Sequence, residues 1–310
     1  MHVMDKSGHI AHSNTVSLKS FADLLVASNE LWDSGLEDDG LRYVGSGAYN
    51  SETTPSNFIC FGTSSSEECK ANEDKYMYRI IGVFQDEEGN EHLKLRKFKQ
   101  IGTYSWHSDN TTDTNWEDSS LYKGLNGPEF LGNTTYSYLQ DKNWSDKIES
   151  WKWTAVYTKT ANSGPNYNGD TTMTPSNIYL HEMNRSTKIS SIGEWTYPEG
   201  KIGVIYASDY VLSLGDTALS ITGSTSNNSA LLSTGWLHPG NNGGKYEWTM
   251  ARRGPWGASG IPRFGWHVHS YLRDDGSVDT KFGVAPVFYL EKNVIKSEGT
   301  GTYQKPYIIG

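Results

Sequence analysis

Two histidines separated by one residue are the sharpest sign of chemistry in this sequence. Alternate side chains of a β-strand share a face, so His267 and His269 are expected to present two imidazoles on one side. Two imidazoles can begin a zinc or copper site, which Asp209 or His238 would have to complete. No spacing in the sequence requires that set, so we predict no metal and no cofactor. The pair then belongs either to a recognition surface or to an ordinary solvent-exposed face.

Aromatic residues and glycines crowd the segment 235–290 around these histidines. Aromatic rings offer large, rigid contact area at low entropic cost, so such a cluster is either a packed core or a binding face. The alternation predicts that Phe264, Trp266 and Val268 point into the core. Outward-facing Arg, His and Tyr would combine stacking with hydrogen bonding. The predicted ligand-binding residues are Trp256, Arg263, His267, His269, Tyr271 and Arg273.

Two further tryptophans are interpreted from their local sequence. Trp256 lies in a loop of turn residues, 252–257, where an exposed ring would anchor a sugar or a protein pocket and a tucked-in ring would only pack. Trp236 is assigned to the core.

Signatures of catalysis are missing from the sequence. There is no Gly-x-Ser-x-Gly elbow, P-loop or dinucleotide-binding fingerprint. Asp274-Asp275-Gly276 is interpreted as a β-turn, because it lacks the spaced oxygen ligands that calcium requires. We therefore predict no catalytic residues and no enzyme. The acidic candidates are scattered without acid–base spacing: Glu129, Glu149, Glu182, Glu194, Glu199 and Glu247.

Composition indicates an exported, loop-rich protein. The 310 residues carry a formal charge of −9 and include 32 glycines, 11 tryptophans and 19 tyrosines. The one Lys/Arg run, 94–99, is interpreted as the solvated edge of a strand, so no nucleic-acid partner is expected. No apolar run is long enough to span a membrane. No signal peptide is recognised, and composition favours a chain from which an export segment has been removed.

The two cysteines are close in sequence. Cys60 and Cys69 could close a bridged hairpin around residues 61–68, or remain free thiols. We predict the disulfide, with a stabilisation of about 2–3 kcal/mol. Without nearby histidines, the two thiols make a poor zinc site.

Hydrophobic patterning predicts a helix in residues 17–32, capped by Ser17, followed by a chain of strands and short helices. Residues 1–40 are predicted to form an N-terminal helical appendage and residues 41–310 one globular domain. The predicted strands are 58–61, 77–84, 92–98, 151–157, 203–206 and 284–290, with a turn at 86–90. The predicted short helices are 118–125, 128–131, 134–139 and 144–149. The predicted polar loops are 158–175 and 214–232.

Several segments together resemble a bacterial surface-protein domain that often follows an export or pilin-like segment. The resemblance covers residues 49–310. It is carried by Phe-Ile-Cys-Phe-Gly at 58–62, Tyr-Arg-Ile-Ile-Gly-Val-Phe at 78–84, Ile-Gly-Val-Ile-Tyr-Ala-Ser-Asp-Tyr at 202–210, Glu-Trp-Thr-Met at 247–250, residues 283–290 and the glycine-rich motif 299–308.

That domain is similar to the C-type-lectin-like fold in its formylglycine-generating-enzyme branch, which includes the variable proteins of diversity-generating retroelements. The resemblance implies a loop-rich α+β fold with short antiparallel sheets and a few helices, a core role for Trp248, and a display region at residues 264–271. It argues against formylglycine generation, because no cysteine follows Cys69. The calcium-binding tripeptides of sugar lectins do not occur. Ala285 departs from the arginine expected in relatives.

The sequence thus predicts a non-catalytic, secreted or surface-displayed protein, located outside the cell or at its surface. Its partner would be a protein or glycan on another cell or surface. The protein would be a diversified receptor-type module that binds this partner through the aromatic, histidine and arginine face near the C-terminus. One alternative is a pilus or fibre subunit that self-associates through residues 17–32 or the C-terminal face. Another is a glycan-acting enzyme, which requires a cleft with two carboxylates about 5–10 Å apart.

Overall fold

The computed structural model describes residues 2–4, 10–12, 19–37, 40–108, 116–127, 130–156, 174–183, 195–222, 228–244, 246–252, 264–268, 272–277 and 279–310. These residues form an α+β structure of short helices and several small sheets, as predicted. None of the described helices is long and apolar enough to cross a membrane.

The α-helices are α1 Phe21–Ser28, α2 Ser66–Ala71, α3 Glu73–Tyr76, α4 Ser120–Leu125, α5 Lys142–Ser145, α6 Pro175–Glu182, α7 Ala207–Leu212, α8 Asp216–Leu219 and α9 Ser229–Leu232. Two 3-10 helices cover Thr134–Leu139 and Pro239–Asn242. The strands are β1 His2–Met4, β2 Ile10–His12, β3 Trp32–Asp33, β4 Leu41–Arg42, β5 Phe58–Cys60, β6 Met77–Gln85, β7 Glu91–Lys97, β8 Gly102–Ser105, β9 Trp151–Lys152, β10 Ala155–Val156, β11 Trp195–Thr196, β12 Glu199–Gly200, β13 Glu247–Arg252, β14 Phe264–Val268, β15 Leu272–Ser277, β16 Lys281–Val284, β17 Val287–Tyr289, β18 Lys296–Glu298 and β19 Tyr307–Ile309.

Two sheets organise the molecule. The large sheet has the order β17-β7-β6-β5-β19-β18, and β4 pairs with both β6 and β3. The second sheet, which we call the display sheet, has the order β15-β14-β13-β16-β8. Three two-stranded sheets, β1–β2, β9–β12 and β10–β11, complete the pairing among the described residues.

The predicted strands β5, β6 and β7 are confirmed, with shifts of one residue at their ends. The turn between β6 and β7 is also confirmed, because Asp86 Oδ1 accepts the backbone N–H groups of Glu88 and Asn90 at 2.9 and 2.8 Å. The segment 203–206 is buried as expected. It forms an isolated bridge from Gly203 to Val287 rather than a strand.

Helix α1 is shorter than predicted. Ser20 caps it through a reciprocal capping box with Asp23, and Asn29 ends it in a left-handed conformation at φ 58°. The helix packs on the large sheet, since the ring of Phe21 lies 5.0 Å from that of Tyr307. Trp32, predicted as the helix end, lies in β3 instead. The division of the chain at residue 40 stays a prediction.

The Lys/Arg run is not a solvated edge, and that expectation was wrong. Strand β7 lies inside the large sheet between β17 and β6, and Lys94, Arg96 and Lys97 are buried. Burial lowers the pKa of Lys97 to about 7, and its Nζ donates to the Met77 carbonyl at 3.1 Å. The alternation of the run correctly indicated a strand, but it did not show what would cover the charged side chains.

The predicted disulfide between Cys60 and Cys69 is confirmed, and both residues are fully buried. It does not close a hairpin. Cys69 lies on helix α2, which Ser65 caps by accepting the Glu68 N–H at 3.1 Å. The bridge therefore fixes α2 against strand β5.

Removing this bridge with Cys60→Ala/Cys69→Ala is expected to lower the free energy of unfolding by about 2–3 kcal/mol, because a short closed loop is released in the unfolded chain. Urea denaturation of the variant and of the oxidised protein measures the difference. The reduced wild-type protein is the matched control and should lose a similar amount. A change below about 1 kcal/mol would contradict the prediction.

Candidate ligand-binding surface

The predicted binding segment forms a β-hairpin at one edge of the display sheet. Strand β14 pairs antiparallel with β15 on one side and with β13 on the other. In this register His267 lies directly across from Arg273 on one side and from Trp248 on the other. Two of the six predicted ligand-binding residues are therefore neighbours across the hairpin, although six positions separate them in sequence.

The other four predicted residues, Trp256, Arg263, His269 and Tyr271, lie outside the described residues. For His267 and Arg273 the structure describes the backbone. The predicted ligand-binding set therefore stays a prediction. Asp274-Asp275-Gly276 lies within strand β15, so its interpretation as a β-turn was wrong.

The display sheet is backed by a cluster of buried rings. Trp248 on β13 is fully buried, and its ring packs edge-on against Phe282 at 4.7 Å and against Trp106 at 5.9 Å. Trp106 in turn contacts Trp116 at 5.1 Å. The indole Nε1 of Trp248 donates to the Tyr104 carbonyl at 2.7 Å, which ties β13 to β8 across the intervening strand. The core assignments of Trp236 and Trp248 are confirmed.

Two exposed tyrosines, one on β8 and one just before β13, were not predicted from the sequence. Tyr104 and Tyr246 are 39% and 38% exposed, which is high for such large rings. Both tyrosines are neighbours of Phe282. Tyr104 is its cross-strand partner, and the ring centres of Tyr246 and Phe282 are 5.7 Å apart. The Gly-Thr-Tyr-Ser sequence of β8, with no charge and one large ring, was the available signal.

A buried ion pair joins the display sheet to the large sheet. Arg96 on β7 donates from Nε and Nη2 to the two carboxylate oxygens of Glu247 on β13, at 3.0 and 2.5 Å. Arg96 Nη1 also donates to the carbonyls of Lys97 and Phe98. Gln100 Nε2 adds a bond to Glu247 at 3.2 Å. This network fixes the position of β13, on which the hairpin is paired.

A second cluster of buried charges surrounds Asp209 on helix α7. Its carboxylate accepts from Lys94 Nζ at 2.5 Å and from Arg42 Nη2 at 3.4 Å. Both oxygens of Asp209 are therefore engaged by cations of the large sheet. His238 Nδ1 accepts the Gly240 N–H at 3.1 Å. No group of three His, Cys, Asp or Glu side chains able to hold a metal occurs in the described part of the chain.

Glu182, at the end of α6, is bound to the first turn of α7. Its two oxygens accept the backbone N–H groups of Ala207 and Ser208 at 3.0 and 2.6 Å. Burial raises its pKa from 4.5 to about 7, against the lowering effect of these hydrogen bonds. Its neighbour His181 is buried too, and burial lowers its pKa to about 3.

The free energy of unfolding should depend on pH through Glu182. Its folded pKa is raised, so the folded state binds more protons than the unfolded state between about pH 4.5 and 7. The contribution of this group to stability therefore falls as pH rises through that window. Urea denaturation at several pH values should show this slope reduced in Glu182→Gln. A control variant, Glu298→Gln on the exposed part of β18, should keep it, and an unchanged slope in Glu182→Gln would contradict the assignment.

Among the other acidic candidates, Glu199 is exposed on β12, and Glu129 and Glu194 lie outside the described residues. Glu149 hydrogen-bonds Glu291, whose pKa is raised by burial and then by that partner. Two open depressions of about 480 and 530 Å³ are lined by other residues, among them Asp23 and Lys292 in the first and Trp144 and Lys147 in the second.

Comparison with known proteins identifies no relative. No protein-family model matches the sequence, and searches of curated proteins and of solved structures find no match either. The functional argument therefore rests on the geometry of the hairpin and of the sheet that carries it.

Proposed function

We propose that this protein is a non-catalytic, secreted or surface-displayed binding module with a C-type-lectin-like fold. It binds a protein or glycan ligand through an aromatic, histidine and arginine face on the β14–β15 hairpin. The observation that supports this most is the hairpin at the edge of the display sheet, whose register makes His267 and Arg273 a cross-strand pair.

A rigid support favours binding, because side chains that are already held lose less entropy when a ligand arrives. The hairpin is paired to β13, and β13 is fixed by the ring of Trp248 and by the bidentate pair of Glu247 with Arg96. Arg and His side chains on such a support supply hydrogen bonds, while Trp and Tyr supply stacking.

The exposed rings of Tyr104 and Tyr246 extend the proposed surface along the same sheet. These rings are 39% and 38% exposed, so part of each is accessible to a ligand. Aromatic rings of this kind stack on sugar rings and fill protein pockets. We include both tyrosines in the proposed binding face.

The disulfide supports a location outside the cell or at its surface. Bridges such as Cys60–Cys69 form and persist in oxidising compartments. The proposed receptor-type diversification would fall in residues 263–273, which include strand β14 and the start of β15.

Binding of the fluorescently labelled protein to a mammalian and bacterial glycan array, and to intact bacterial and host cells, tests the proposal. His267→Ala/Arg273→Ala and Trp256→Ala/Tyr271→Ala should each reduce binding at least about 10-fold, as expected for central contact residues. The melting temperature should change little. Glu298→Ala, on the edge strand β18 of the other sheet, is the matched control.

Tyr104→Ala and Tyr246→Ala test the extension of the surface separately. Each should weaken binding several-fold, with a smaller effect than the hairpin variants. Full binding by the hairpin variants would refute the proposed face. Failure of the wild-type protein to bind any glycan or cell would refute the binding function.

A further inference from the structure

Lys94 and Asp209 meet in the core in the arrangement of two reactants. The Lys94 Nζ lies 2.5 Å from Asp209 Oδ2, and both side chains are 1% exposed. One residue is on strand β7 and the other on helix α7, and 115 positions separate them in the chain. An amine held against a carboxyl group in this way has lost the freedom that normally makes their condensation slow.

The surroundings of this pair are aromatic. The Lys94 Nζ lies 4.3 Å from the centre of the Tyr206 ring, 5.1 Å from Phe84 and 5.3 Å from Tyr289. Burial lowers the pKa of Lys94, and the nearby Arg42 lowers it further, although Asp209 acts in the opposite direction. The neutral amine, which is the nucleophilic form, is therefore more accessible than at an exposed lysine.

Other groups are placed to assist a reaction at the Asp209 carboxyl. The guanidinium of Arg42 lies 3.4 Å from Oδ1, where a developing negative charge would be stabilised. The Tyr206 N–H donates to Oδ2 at 3.3 Å. Glu182 binds the N–H groups of the two residues that precede Asp209, and its raised pKa of about 7 keeps a proton available near neutral pH.

We propose that Lys94 and Asp209 condense into an intramolecular isopeptide bond. A proton passes from the Lys94 ammonium to Oδ2, and the free Nζ attacks Cγ of Asp209. The negative charge of the tetrahedral intermediate develops on Oδ1 beside Arg42. Glu182 relays a proton from the nitrogen to Oδ2, the Cγ–Oδ2 bond breaks, and one water leaves. The ammonium and carboxylate become one amide and one water, so no oxidant or other reactant is needed.

The environment favours the product as well as the reaction. Two charges in a dry core carry a desolvation penalty that their mutual attraction only partly offsets. The amide is neutral, and the released water returns to solvent. The bond would join β7 of the large sheet to helix α7 and close a loop that contains much of the chain.

Intact-mass measurement of the purified, reduced and denatured protein tests the proposal. The expected mass is about 18 Da below that of the sequence, the loss of one water. Proteolytic mapping should recover a branched peptide that contains both Lys94 and Asp209. A full sequence mass, with the two residues on separate peptides, would overturn the proposal and leave an ion pair. This test uses the wild-type protein and does not depend on any variant folding.

Two variants define the chemistry. Lys94→Arg keeps a positive charge but cannot condense, so it should show the full mass. Asp209→Asn can form the same amide by losing ammonia, and should show a deficit of about 17 Da. A persistent 18 Da loss in Lys94→Arg would place the modification elsewhere and overturn the assignment.

The role of Glu182 is tested by the rate of bond formation in newly synthesised protein, followed by mass in samples taken from a cell-free translation reaction. Glu182→Gln should form the bond at least about 100-fold more slowly, the lower limit for a positioned proton carrier. The control Glu149→Gln should react at the wild-type rate. A wild-type rate in Glu182→Gln would remove Glu182 from the mechanism.

Discussion

Glu247→Ala should lower the free energy of unfolding by about 3–5 kcal/mol, because it leaves Arg96 charged and unpaired in the core. The two side chains are 2% exposed or less and share two hydrogen bonds. Chemical denaturation in urea at pH 7, followed by tryptophan fluorescence, measures the loss.

The contrast with two other variants separates a lost charge partner from a general effect of substitution. Arg96→Met/Glu247→Leu removes both charges and should recover most of the loss, since a buried ion pair is often replaceable by apolar groups of similar volume. Glu199→Ala, on the exposed part of β12, should change stability by less than about 0.5 kcal/mol. A loss below about 1 kcal/mol in Glu247→Ala would show that Arg96 finds another partner or water.

Trp248→Ala should cost about 3–5 kcal/mol through the cavity left beneath the display sheet. Its ring is fully buried between Phe282 and Trp106, so the surrounding side chains cannot easily close the space. Thermal unfolding by circular dichroism measures the loss. Binding by the hairpin should weaken as well, because β13 then supports it less rigidly.

Trp248→Phe is the graded control. It keeps most of the buried ring but removes the Nε1 donor to the Tyr104 carbonyl, so it should cost clearly less than Trp248→Ala. Trp144→Ala, at a partly buried ring on helix α5, should also cost less. Equal losses in Trp248→Phe and Trp248→Ala would show that the hydrogen bond, rather than packing, carries the effect.

Strands whose partners are close in sequence could be predicted. The alternation in β6 and β7 and the Asp86–Asn90 turn specify a hairpin with a local hydrogen-bond pattern. The proximity of Cys60 and Cys69 likewise pointed to their bridge. In these cases the determining contacts lie within a few residues of each other.

The burial of Lys94 and Arg96 could not be predicted, because their partners come from distant parts of the chain. Asp209 and Glu247 reach them only once α7 and β13 have packed on the large sheet. Sequence alone therefore favoured the ordinary exposed position of lysine and arginine.

The candidate surface was predicted only as a segment. Strand β14 lies in a hairpin, but the pairing of His267 with Arg273 depends on a register that includes an irregularity after Gly265. The closeness of Tyr104 and Tyr246 could not be predicted, because it depends on the pairing of β8 and β13 with β16 in one sheet.

Strand β19 lies inside the large sheet, between β5 and β18, and runs parallel to β5. The register joins Tyr307 to Ile59 and Ile308 to Cys60, so β5 cannot complete its pairing until residue 308 has left the ribosome. Such distant pairings slow the search for the native topology. We therefore expect the large sheet to complete its pairing only after β19 has been synthesised.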